Sequence, residues 1–63
     1  MAQSIHGKIA LITGGAVRIG RAAALALAAE GAHVIVHYHR SGEEAEALCD
    51  ELRARGVQAW PLR

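Results

Sequence analysis

The chain has 63 residues and a formal net charge of +1 at pH 7. This charge is too small to indicate binding to nucleic acid or to an anionic membrane, and the basic residues are scattered along the chain. Cys49 is the only cysteine, so an internal disulfide is excluded. No apolar run approaches the roughly 20 residues that span a bilayer, and the first residues lack the apolar segment of a signal peptide. We therefore expect a cytoplasmic protein with neither a membrane nor a nucleic acid as partner.

The first half of the chain predicts a strand, a glycine-rich turn and a helix. Residues 8–13 are mostly apolar and continuous, which is typical of a parallel strand covered on both faces. Residues 19–30 are rich in the helix formers Ala, Leu, Arg and Glu. Gly31 follows and is suited to end this helix as a left-handed cap.

The second half of the chain also predicts a strand followed by a helix, and then a further strand. Residues 33–38 form another β-branched run, and Ser41 with Glu44 predicts a capping box at the start of a second helix. Four small or apolar residues share one face of that helix: Ala45, Leu48, Cys49 and Leu52. Gly56 ends the helix, and residues 57–62 predict a third short strand. Pro61 fits the end or edge of such a strand better than its centre.

The order β-α-β-α-β predicts an α/β fold. Right-handed crossovers would place the three strands in one parallel sheet with the order 3-2-1, as in the first part of a Rossmann-type, doubly wound sheet. Typical domains have about 100–150 residues. We therefore expect residues 1–63 to be the N-terminal part of a single nucleotide-binding domain, with the remainder of that domain needed to pair the open edge of the first strand.

The turn after the first strand is suited to a phosphate group. Thr13 ends the strand, and Gly14 and Gly20 permit a tight turn and a close approach of backbone to phosphate. The backbone N–H of Ile19, near the positive end of the helix dipole, can point at a pyrophosphate. The alternative is an ordinary strand-to-helix turn whose glycines only avoid strain, because glycine-rich turns alone are weak signals.

The end of the second strand indicates which dinucleotide the site prefers. A site for NAD places Asp or Glu there, where the carboxylate binds the ribose 2′-hydroxyl and repels a 2′-phosphate. This chain has Tyr38, His39, Arg40 and Ser41 instead. Arg40 offers a planar fork of donors to a phosphate, with the Ser41 hydroxyl beside it. These residues predict NADP(H) as the cofactor; the alternative is a solvated basic loop in which Ser41 only caps the helix.

The pattern Thr13-Gly14-x-x-x-Arg18-x-Gly20 resembles the Thr-Gly-x-x-x-Gly-x-Gly turn of the short-chain dehydrogenase/reductase family. Arg18 departs from it, because most of that family has glycine there. The resemblance covers essentially all of this chain and about a quarter of a full family member.

The run His37-Tyr38-His39-Arg40-Ser41 narrows the resemblance to the pteridine reductase branch, whose members carry a similar arginine-containing turn and a similar run after the second strand. Arg18 could reach the 2′-phosphate, the pyrophosphate or the substrate, and the resemblance implies that the arginine of the turn lies beside cofactor phosphate and the pterin.

This resemblance implies an NADPH-dependent reductase that transfers hydride to a small molecule, a pterin or another carbonyl or imine compound. Family members work through a Tyr-x-x-x-Lys pair, which this chain lacks: Tyr38 cannot take that part, because Gly42 stands where the lysine would be. We therefore assign no catalytic residue to residues 1–63 and expect them to be inactive alone. The resemblance also implies a homo-oligomer, either a dimer or a tetramer.

Two other functions fit the same residues. One is a different short-chain reductase, such as a 3-oxoacyl-carrier-protein reductase, because the nucleotide end of the site says little about the substrate. The other is a non-catalytic nucleotide-binding module that keeps the fold. A metal site is not expected, because the four histidines and the single cysteine lack the spacing of metal ligands.

Overall fold

A computed structural model of the chain describes residues 5–13, 18–40 and 42–63. The elements alternate as predicted, with bounds that differ by one or two residues. In chain order they are β1 (Ile9–Thr13), α1 (Arg18–Ala29), β2 (His33–His37), α2 (Gly42–Ala54) and β3 (Ala59–Leu62). No helix within the described ranges is long and apolar enough to cross a membrane.

The three strands form one parallel sheet with β2 in the centre, which confirms the predicted order. In the β1–β2 register, Ile9 lies opposite His33 and Thr13 opposite His37. In the β2–β3 register, His37 lies opposite Leu62. Within the described sheet β3 is an edge strand, and this position tolerates the missing N–H of Pro61.

The hydrophobic core lies between one face of the sheet and both helices. Val34 and Val36 of β2 are fully buried there, against Ala24 and Ala28 of α1. The predicted stripe of α2 joins the same core, so the expected burial of Cys49 is confirmed. Because alanine has a short side chain, α1 can lie close to the strands. Desolvation in this core raises the pKa of the Cys49 thiol above its ordinary value.

The opposite face of the sheet carries large apolar side chains that no described element covers. Ile9 and Leu11 of β1 are 62% and 57% exposed, and Trp60 and Leu62 of β3 are 39% and 50% exposed. The register places Leu11, Ile35 and Trp60 side by side on this face. An apolar surface of this kind is typical of a sheet that is covered by further elements in its working form.

Both predicted glycine caps are confirmed by their backbone angles. Gly31 has φ 87° and Gly56 has φ 93°, both in the left-handed region. After α1, the N–H of Gly31 donates to the carbonyl of Ala28 at 2.9 Å. His6 packs against Gly31, so a methyl group added at that position would collide with the imidazole ring.

We expect Gly31→Ala to destabilise the protein more than Gly56→Ala. Each substitution forces an L-residue into the left-handed region, which costs about 1–2 kcal/mol. Only Gly31→Ala also displaces the His6 ring, because no atom lies within 4 Å of a methyl added at Gly56. Urea unfolding of both variants measures the difference. Equal losses in the two variants would contradict a tight contact between His6 and Gly31.

Candidate nucleotide-binding site

The two predicted site segments lie at the same edge of the sheet. Thr13 ends β1 and His37 ends β2, and the two residues are partners in the parallel register. The carboxyl ends of parallel strands are where open α/β sheets bind their ligands, because the loops that leave these ends surround a crevice. Thr13 at the end of β1 and the described residues 38–40 after β2 therefore lie at the same edge of the sheet.

A cavity of about 540 Å³ opens at the end of β1. It brings together four of the predicted residues, Thr13, Arg18, Ile19 and Gly20, while the predicted Gly14 lies outside the described residues. Three apolar residues complete its lining: Leu11, Ile12 and Ala23. The volume is in the range of ligand sites in proteins.

The first turn of α1 presents backbone donors to this cavity. The first N–H groups of a helix have no partner within the helix, and the helix dipole adds partial positive charge there. No acidic residue lies in the first turn of α1, so no side chain neutralises this charge. In α2 the first turn carries Glu43 and Glu44, which compensate the dipole. An anion is therefore held more favourably at the start of α1 than at the start of α2.

The backbone of Arg18 explains why the family pattern has glycine at this position. Its φ is 35°, which makes it the one described non-glycine residue with positive φ. A residue other than glycine pays about 1–2 kcal/mol to stay in the left-handed region. Gly20, predicted to allow the tight turn, instead lies within α1, and the described glycines with positive φ are Gly7, Gly31 and Gly56. Arg18 thus combines a left-handed backbone with a cationic side chain at the cavity wall.

A second cavity of about 430 Å³ lies at the end of β2. The predicted residues Tyr38, His39 and Arg40 line it together with Gly42, whereas Ser41 lies outside the described residues. Its remaining lining residue, Arg63, was missed by the sequence analysis. The signal that could have found Arg63 is the expected strand order, because the residue after β3 must lie beside the residues after β2.

Tyr38 forms the wall between this cavity and the core. Its ring is partly buried against the hydrophobic cluster. A methyl group built on Gly42 would lie 3.4 Å from Cε2 of that ring. Tyr38 therefore packs over the first residue of α2 and fixes the direction of the loop that carries His39 and Arg40.

The arginines of the chain fall into two groups. Three form ion pairs with carboxylates: Arg21 with Glu51 at 2.6 Å, Arg53 with Asp50 at 3.1 Å and Arg55 with Glu51 at 3.5 Å. The other three have no carboxylate partner in the described ranges, and all of them line the two cavities: Arg18, Arg40 and Arg63.

The structure gives His33 a hydrogen-bond partner. His33 accepts a hydrogen bond at Nδ1 from the backbone N–H of Gln58, at 2.9 Å. This hydrogen bond links β2 to the residue before β3, so the His33 side chain helps to hold these two strands together. Among the residues that the structure describes, no three His, Cys, Asp or Glu side chains form a group that could hold a metal ion.

A family model for the short chain dehydrogenases matches residues 8–63. The chain belongs to this family. The match to this short-chain dehydrogenase family includes both cavities and every described element. Residues 1–63 contain no Tyr-x-x-x-Lys pair, which is the catalytic pair that the family resemblance implies.

Known members of the short-chain dehydrogenase family resemble the chain closely over the region that it covers. It is 46% identical over 56 residues to the 3-oxoacyl-(acyl-carrier-protein) reductase FabG of Staphylococcus aureus, a match to 89% of this chain and 23% of that protein. A short-chain dehydrogenase of Burkholderia cenocepacia in complex with NADP superposes with a TM-score of 0.90 and 41% identity, covering 97% of this chain and 25% of the other. FolM alternative dihydrofolate reductase 1 of Brucella canis, complexed with NADP, gives a TM-score of 0.87 and 35% identity over 95% and 25% of the two chains. The chain thus spans about a quarter of the length of each of these relatives.

We expect Arg18→Gly to separate stability from binding. Glycine relieves the left-handed strain of about 1–2 kcal/mol but adds about 0.5–1 kcal/mol of backbone entropy, so the net change in unfolding free energy is small. Loss of the guanidinium should weaken NADPH binding about 10-fold or more, as expected for a charge-assisted hydrogen bond. Urea unfolding and a fluorescence titration with NADPH measure the two effects.

The matched control is Arg18→Ala, which also removes the charge but keeps a side chain in the left-handed region. It should bind NADPH as weakly as Arg18→Gly and be the less stable of the two variants. Unchanged NADPH affinity in both variants would refute a role for Arg18 at the phosphates.

Proposed function

We propose that this chain forms the N-terminal, adenosine- and pyrophosphate-binding part of an NADPH-dependent short-chain reductase. The observation that carries the proposal is a set of three arginines that have no carboxylate partner within the described part of the chain and that line the two cavities at the carboxyl edge of the sheet. Membership of the short-chain dehydrogenase family supports an oxidoreductase. When the cofactor is bound, its nicotinamide ring would supply the hydride, and residues 1–63 would hold the adenosine and pyrophosphate of the same molecule.

In this proposal the pyrophosphate lies in the cavity after β1. The free N–H groups in the first turn of α1 donate to phosphate oxygens, and the uncompensated dipole of this helix favours the negative charge. Arg18 adds a guanidinium from the cavity wall. Gly20 presents no side chain there, so the backbone of α1 stays accessible to the ligand.

The ribose 2′-phosphate lies in the cavity after β2. Among the described residues, those that line it include Arg40 and no acidic residue. A carboxylate here would bind a ribose hydroxyl and repel a phosphate, whereas a guanidinium binds phosphate oxygens through paired N–H donors. Two similar structures, those from Burkholderia cenocepacia and Brucella canis, are complexes with NADP, which supports the same preference here.

For the substrate, we propose a pterin or folate. The support is the arginine in the first turn, the run from His37 to Ser41, and the similarity to an alternative dihydrofolate reductase. The second candidate is a 3-oxoacyl thioester carried on acyl carrier protein, because the chain is 46% identical to FabG over 56 residues. Either substrate would be reduced by residues outside 1–63, in a protein that we propose to be a dimer or tetramer.

The cofactor preference is tested by titrating the full-length protein with NADPH and with NADH. We expect tighter binding of NADPH. Arg40→Gln should weaken NADPH binding by about 10-fold or more, as for loss of a charged hydrogen bond, and leave NADH binding nearly unchanged. Equal affinity of the wild-type protein for both dinucleotides would refute the proposal.

The control variant is Arg55→Gln. Arg55 is also an exposed arginine but pairs with Glu51 near the end of α2, away from both cavities, so its loss should change neither affinity. Consumption of NADPH with a dihydropterin and with a 3-oxoacyl thioester, measured in parallel, decides between the two substrate classes.

A further inference from the structure

Arg63 occupies a place to which neither the sequence pattern nor the family resemblance assigns a role. It directly follows β3, whereas the cofactor residues predicted within this sequence follow β1 and β2. The N–H of Tyr38 donates to the carbonyl of Leu62 at 2.8 Å, so the hydrogen-bond ladder holds the residue after β3 beside the loop that follows β2. As a result, Arg63 and Arg40 line the same cavity.

We propose that Arg63 is a second specificity residue for NADP(H), which binds the ribose 2′-phosphate together with Arg40. The inference rests on the proposed function and deepens it. A 2′-phosphate carries close to two negative charges at neutral pH, as other phosphate monoesters do. Two guanidinium groups in one cavity match that charge better than one.

The electrostatics of the cavity support a shared anion. Arg40 and Arg63 have no carboxylate partner in the described ranges, although Arg21, Arg53 and Arg55 each have one. The described part of the cavity lining contains no acidic residue, and His39 lines the cavity together with the two arginines. Like charges held in one cavity repel each other, so an anion that contacts both gains more than it would from either alone.

Arg63 could contact the cofactor in another way, by stacking its planar guanidinium on the adenine ring. The two modes differ in what they recognise. Stacking serves NADPH and NADH equally, because both carry adenine, whereas phosphate binding serves NADPH alone. A comparison of ligands with and without the 2′-phosphate therefore separates them.

The test uses the full-length protein and the variants Arg63→Gln, Arg63→Lys and Arg40→Gln, with Arg55→Gln as the control. The probes are adenosine 2′,5′-bisphosphate and 5′-AMP, measured by calorimetry, and NADPH and NADH, measured by fluorescence. We expect Arg63→Gln to weaken the two 2′-phosphorylated ligands by about 10- to 150-fold and to change the other two less than twofold, as for loss of one charged hydrogen bond. Arg63→Lys keeps the charge without the fork and should lose only part of the affinity.

The side chain of Arg63 is exposed, so Arg63→Gln and Arg63→Lys should unfold at the same temperature as the wild-type protein. Unchanged binding of adenosine 2′,5′-bisphosphate to Arg63→Gln would overturn the proposal, and so would equal weakening of all four ligands, which indicates stacking. If Arg40→Gln loses the NADPH preference and Arg63→Gln keeps it, only the role of Arg63 fails. If the wild-type protein shows no preference for NADPH, the proposed function fails as well.

Discussion

The parallel hydrogen bonding of β2 to both of its neighbours is the constraint on which the candidate site depends. It places Thr13 opposite His37 and brings the residues after all three strands to one edge. Burial of Val34 and Val36 beneath both helices holds β2 in this register. A shift of one residue would turn these valines to the opposite face and expose them, so the core and the site are fixed together. The hydrogen bond from Gln58 to His33 adds a polar tie at the other end of the same strands.

At the start of α1, Arg18 combines a strained backbone with a side chain that lines the cavity after β1. A glycine at position 18 would take the left-handed backbone without strain, yet the chain has arginine there, with φ 35°. Strain of this kind persists where the surrounding structure enforces it and commonly lies at functional sites. Here the enforcing structure is α1, which is anchored through the buried residues Ala24 and Ala28. The residue that costs stability is also the one that places a cation on the cavity wall.

The arginines of the described chain differ in whether a carboxylate lies within ion-pair distance of them. The arginines on the outer faces of the helices have carboxylate partners, and one of these pairs, Arg21 with Glu51, joins α1 to α2. Arg53 also donates from Nε and a terminal nitrogen to the carbonyl of Ala59, at 3.1 and 2.6 Å, and so ties α2 to the start of β3. The arginines at the carboxyl edge of the sheet have no carboxylate partner among the residues that the structure describes. The acidic residues in the first turn of α2 leave α1 as the helix whose dipole is free to attract a phosphate.

The amino-acid sequence was enough to predict the elements, their order and the glycine caps. These depend on local patterns: apolar runs in the strands, a stripe at helical spacing in α2, and glycine at positions 31 and 56 where each helix ends. It also indicated the basic loop after β2, because the absence of an acidic residue there can be read directly.

The tertiary structure was needed to show which residues far apart in the chain lie close together in the fold. The partner of His33 lies 25 residues further along the chain, and Arg63 reaches the cavity of Arg40 only through the β2–β3 register. The left-handed backbone of Arg18 likewise arises where β1 must turn into a helix that packs on the sheet. Local sequence patterns describe neighbours within a few residues, whereas register and backbone strain are fixed by burial and hydrogen bonds between segments that are far apart in the chain.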